Sequence, residues 1–114
     1  MTKFSIYSQG LLIGHSLLES GDAPMGVALG AFEPAPGYEK VQELCKANPA
    51  DQSSLQLSVQ KESGQVIPCA GVSILDFSEE PAFSCIEVNV LGISYPLYEQ
   101  LFPQHVHAYR QQFK

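Results

Sequence analysis

The chain has 114 residues, 45% of them hydrophobic, which is the length and apolar content of one self-cored domain and too apolar for a disordered segment. It carries twelve carboxylates against five lysines and the single Arg110, a net charge of −6, with charged residues at only 16% of the total. That balance excludes the clustered cations that nucleic acid or anionic lipid requires and leaves a basic protein as the permitted kind of partner.

Cys45, Cys69 and Cys85 are odd in number and far apart, unlike the paired framework of a small secreted domain. No apolar h-region follows Met1-Thr2-Lys3-Phe4, and no apolar run reaches the ~20 residues that span a bilayer. The expectation is a reduced, cytoplasmic protein without a signal peptide or membrane span.

Phe4, Ile6 and Tyr7 read as a strand that turns at Gln9-Gly10 and returns through Leu11-Leu12-Ile13, an N-terminal hairpin. Gly14 marks a bulge or a close backbone approach. Ser20-Gly21-Asp22-Ala23-Pro24 carries loop punctuation. Met25 to Phe32 then reads as a strand with Met25, Val27, Leu29 and Ala31 on one face. Its other face, Gly26, Ala28 and Gly30, is nearly bare and predicts a closely packed neighbour, a helix of the same chain before a ligand or partner.

Glu33-Pro34-Ala35-Pro36-Gly37 is a second break. Beyond it Tyr38, Val41, Leu44 and Cys45 recur at helical spacing, ended by Asn48-Pro49. Leu55, Leu57 and Val59 alternate with polar residues over Ser54 to Gln60, the period of a half-buried strand. Lys61-Glu62-Ser63-Gly64 predicts a hairpin loop, and Pro68 confines the return strand from Val66-Ile67 to an edge, a bulge or a strand end. Val72, Ile74 and Leu75 predict another strand before a loop from Asp76 to Pro81. Ile86, Val88 and Val90 predict the last. Pro96 suits a first helical turn, and Leu97, Tyr98, Leu101 and Phe102 form a helical stripe. Pro103 interrupts that helix, and Val106, Tyr109 and Phe113 continue it. The order β-β-β-α-β-β-β-α predicts a single α+β domain over 1–114. Its sheet is mostly antiparallel, of five or six strands, with two helices on one face.

Few constellations carry chemistry. His105 and His107, two apart on a helix, diverge by about 200° and cannot chelate one metal together. The three cysteines match no zinc spacing and read as packing residues, and phosphate-binding glycine motifs are missing, so no metal and no cofactor is expected. Glu79-Glu80 reads as a solvated turn. His15 with Asp22 or Glu19 is the candidate acid–base pair of a small hydrolase- or lyase-like enzyme. Tyr95, Tyr98 and Tyr109, on a charge-poor C-terminal segment, are the candidate partner-binding residues, since tyrosine-rich surfaces with few charges are what interfaces prefer. The preferred expectation is a protein-binding domain of inhibitor, immunity or adaptor type, with no catalysis of its own. The alternatives are the enzyme and a homodimer formed through an edge near Pro68.

Overall fold

The computed structural model describes residues 3–48, 51–79 and 85–112. Expectations that fall on Pro49, Glu80, Pro81 and Phe113 lie outside the described residues. The fold is α+β, as the sequence predicts, but its strands form two antiparallel sheets of four rather than one of five or six.

The N-terminal hairpin is present as β1 (Phe4–Ser8) and β2 (Leu11–Ser16). Gln9 and Gly10 hold φ of 49° and 82°, the positive values that a two-residue turn needs to match strand twist. Ile6 faces Gly14 while Tyr7 faces Leu12, so Ile13 is an extra residue and the bulge sits beside the glycine. A Cβ on Gly14 would collide with the Phe32 ring, so both readings of that glycine hold.

The chain leaves the first sheet at Ser16 and crosses to the second through Leu18, a fully buried residue at φ 46°. There Ser20-Gly21-Asp22, expected as loop, is the short strand β3 (Ser20–Asp22), paired with β4 (Val27–Ala31). A 3-10 turn over Ala23–Met25 joins them. Every residue of β3 is exposed, so no apolar alternation announces it; it is a strand by backbone pairing alone. The two-residue β5 (Glu33–Pro34), paired with β2, is equally silent in the sequence. These short edges and the crossing at Leu18 divide the expected single sheet.

The first helix begins as a 3-10 turn, Pro36–Lys40, and continues as α1 (Gln42–Ala47). Tyr38, Val41 and Cys45 are buried as the spacing predicts, whereas Leu44 is exposed, because the change of pitch rotates it off the stripe. The strand expected from Ser54 starts later, as β6 (Leu57–Gln60). Ser53–Leu55 is a 3-10 turn, and Gln56 at φ 48° reverses the chain ahead of the strand. The return past Gly64 is one bridge, Gln60 to Val66, ending at Pro68 as a residue without an N–H must. β7 (Gly71–Phe77) and β8 (Cys85–Leu91) follow, with Asp76 and Phe77 still in strand. The C-terminus is α2 (Leu97–Leu101) and α3 (Pro103–Gln111), broken at Phe102 immediately before Pro103.

The sheet orders are β5-β2-β1-β6 and β3-β4-β8-β7. Register places Ala28, Val90 and Val72 in one row of the second sheet, and Gly30, Val88 and Ile74 in the next. That face meets Ile6, Ile13 and Val59 of the first sheet in a single buried cluster with Leu18, Phe102 and Tyr98. Among the described residues, no helix is long and apolar enough to cross a membrane.

Candidate functional site

Three side chains of the C-terminal segment fasten it to the β3–β4 hairpin and to the crossing that precedes it. The Tyr95 hydroxyl donates to the Ala23 carbonyl at 2.7 Å, and the Tyr98 hydroxyl to the Val27 carbonyl at 2.7 Å. The His105 Nε2 lies 2.9 Å from the Leu18 carbonyl, which can only accept, so this nitrogen carries a proton. Behind these bonds runs a ladder of rings. Tyr95 and Tyr98 have centroids 5.5 Å apart, Tyr98 and Phe102 5.3 Å, and Phe102 stacks on His105 at 5.1 Å. The ladder explains Gly21, where a Cβ would sit 2.5 Å from the Tyr98 hydroxyl oxygen. Gly21 is opposite Ala28 in the hairpin, so the C-terminal helices lie beside the Ala28 part of the bare face of β4, whereas Gly30 packs under Ser16 and Glu19 and Gly26 against the Ile93 backbone.

The ladder also divides the three candidate tyrosines. Tyr98 is 0% exposed and belongs to the core, which corrects its assignment to a contact patch. A residue midway along an amphipathic stripe, flanked by rings on both sides, is buried by its own neighbours. Burial pushes its phenol up to about 12, helped by the nearby Tyr95 and Asp22. Tyr95 is different: it is 48% exposed. With Tyr109 and the Ala23–Pro24 turn it borders a shallow groove of about 310 Å³, floored by Val106 and closed by Arg110. On the far side of Pro24 and Tyr109 the depression continues, about 340 Å³, towards Asp22 and Gln112. Met25, on the same turn, is 68% exposed. Arg110 pairs with Glu99 at 3.4 Å, leaving Asp22 as the charge at the opposite end.

His15 is not brought to either candidate carboxylate. Its Nδ1 is 3.3 Å from the Ser5 hydroxyl, and its cross-strand neighbour on β5 is Glu33. The Glu19 carboxylate lies over Gly30 and accepts from the Ala31 N–H at 3.3 Å, while Asp22 stands exposed at the end of β3. Among the described residues, no hydrogen bond or ion pair links His15 to an acid, and no group of three metal-ligating side chains forms. Cys45 is buried and its thiol pushed up by that burial; Cys69 is half-buried and also pushed up by burial; Cys85 is exposed.

Sequence reasoning missed one polar cluster. Asp76 Oδ2 accepts from the Tyr38 hydroxyl at 2.6 Å and from Gln42 Nε2 at 3.1 Å, and its Oδ1 accepts from Ser78 N at 2.9 Å. Burial pushes this carboxyl up, but the hydrogen bonds, with the Ser78 hydroxyl first, outweigh it and hold the group at about 2. The Tyr38 phenol is raised by burial and by donating to Asp76. A carboxylate with both oxygens engaged and so low a pKa is a poor base; the cluster ties α1 to β7. Its signal in the sequence is the spacing Asp-x-Ser at 76–78, the same Asx-turn that Asp51 makes to Ser53.

No family model matches the chain, and neither the curated proteins nor the solved structures contain a significant match.

Proposed function

We propose that the chain is a protein-binding domain without catalysis of its own, and that its contact surface is the groove between Tyr95 and Tyr109 over the Ala23–Pro24 turn. The observation that carries this is the clustering of two tyrosines and Pro24 around one shallow depression with little charge, beside a turn whose Met25 is 68% exposed. Amphipathic rings anchored at one end contribute contact area at small entropic cost. Tyr95 is anchored in this way, its hydroxyl tied to Ala23.

The occupant is a basic protein rather than a second copy. Each copy carries −6, and Asp22 marks the open end of the groove, so charge favours a cationic partner and opposes self-association. The cytoplasm is the compartment expected for this pairing.

The test is side-by-side capture from lysate of the source cell, with the wild-type chain and a Tyr95→Ala/Tyr109→Ala double variant as baits. The reading requires a stoichiometric partner that the wild type retains, the double variant loses, and elevated salt releases. Equal capture by both baits would remove the groove from the account.

A further inference from the structure

Between the two sheets, the edges of β6 and β7 face one cleft. Residues of an antiparallel strand turn both backbone groups to the same side, alternately left and right. Ile74 exchanges both of its groups with the Gln52 side chain, away from β8. Two residues earlier, Val72 therefore presents its N–H and C=O to that same open side. On β6, the Val59 carbonyl accepts from Ile67 N at 2.9 Å, away from β1, so Leu57 is also turned outward. Among the described residues, no hydrogen bond reaches the outward groups of Val72 or Leu57. Both residues line a cleft of about 350 Å³, with Gln52 and Gln56 on one wall and Gly71 and Ser73 on the other.

We infer that this cleft takes an extended peptide segment of a partner protein, held by main-chain hydrogen bonds to Val72. Unpaired strand groups are a template for another strand, and addition at a sheet edge is a recurrent mode of peptide recognition. Gln52 already occupies the neighbouring position at Ile74 with one amide, so the edge accepts an amide there without rearrangement. The segment Gln52–Leu57 stands as the opposite wall, and each copy carries −6, which opposes the approach of a second copy's edge and leaves a partner's segment as the occupant. Leu57 and the exposed Leu91 offer apolar contacts, so the segment carries apolar side chains on alternate residues. This surface is separate from the Tyr95–Tyr109 groove and does not depend on it.

The probe is a library of random 12-residue peptides displayed on phage and selected on the immobilised full chain, with the binders resynthesised. Methylating their backbone nitrogens one at a time is expected to weaken binding by about tenfold at the nitrogen that donates to the Val72 carbonyl, the effect of one lost hydrogen bond, and little at its immediate neighbours. Val72→Pro, which removes the donor, should weaken binding similarly, and the bound peptide should slow hydrogen exchange at the Val72 N–H. The Tyr95→Ala/Tyr109→Ala variant should bind the peptide unchanged. The methylation series leaves the protein intact, so it decides the matter even where Val72→Pro does not fold. The inference is overturned by a selection without binders, by methylation that weakens binding at no one position, or by binders that need Tyr95 and Tyr109. It is equally overturned if the chain sediments as a dimer that Val72→Pro dissociates.

Discussion

The carboxamide of Gln52 stands beside Ile74 as a neighbouring strand would: its Nε2 donates to the Ile74 carbonyl at 2.7 Å and its Oε1 accepts from the Ile74 N–H at 2.7 Å. The same Nε2 reaches the Cys45 carbonyl at 3.3 Å, so one side chain joins the end of α1 to the edge of the second sheet. Gln52 is 7% exposed, and water has little access to replace it.

Gln52→Ala leaves the N–H and C=O of Ile74 unpaired in a buried place, and should cost roughly 2–3 kcal/mol in denaturant unfolding. Gln52→Glu discriminates further. An ionised Glu still accepts from Ile74 N–H but faces two carbonyls with no proton, so its folded pKa rises above the unfolded value of about 4.3. The folded state then binds the extra proton. This variant should be most stable below about pH 4 and lose stability as pH rises through the folded pKa. A Gln52→Glu chain whose stability is flat with pH would show that the amide pairing contributes little.

Asp76 gives the opposite sign. Its folded pKa of about 2 lies below the ordinary 3.8, so its contribution is present above pH 4 and lost as pH falls towards 2. Discounted for its partial exposure, the contribution is roughly 1–2 kcal/mol. Acid titration of unfolding free energy should therefore show a drop over that range that Asp76→Asn lacks. A variant with the same acid profile as wild type would dissociate the Tyr38–Asp76 bond from stability.

Tyr98 and Tyr95 should separate cleanly. Tyr98→Ala removes the middle ring of the ladder and should destabilise by about 3–5 kcal/mol, and Tyr98→Phe, which loses only the bond to Val27, by about 1 kcal/mol. The phenol is pushed up to about 12, so its contribution is complete below pH 10 and lost as pH rises through 12; Tyr98→Phe should lose less there. Tyr95→Ala, at the exposed end, should cost less than Tyr98→Ala. Equal costs in thermal unfolding would contradict the division between core and surface.

Elements with a full period were legible in the sequence. The Phe4–Ile13 hairpin, the Val88 and Val90 strand and the Pro103 break each rest on local patterning that tertiary context reinforces. What escaped was decided by partners distant in the chain. β3 is Ser-Gly-Asp and becomes strand only because Val27–Leu29 pairs with it, and Ser54-Leu55-Gln56 keeps strand alternation while Gln56 takes a left-handed turn. At the candidate groove, the tyrosines were legible as a concentration of rings. Which of them reaches the surface was not, since that depends on Phe102 and His105 enclosing Tyr98. Gln52 gave no signal at all, because a lone Gln beside a D-x-S turn does not reveal that a strand edge 22 residues away needs its amide.

The most direct test of the protein-binding account is a photo-crosslinking amino acid placed at the exposed Met25, on the Ala23–Met25 turn that borders the groove, in the full chain expressed in its source cell. A matched probe at Ser63, in the hairpin loop of the other sheet, serves as control. The account predicts one discrete, basic protein crosslinked from position 25 and not from 63, and loss of that product when Tyr95 and Tyr109 are both alanine. Identical products from the two positions, or a product at 25 that survives the double substitution, would contradict it.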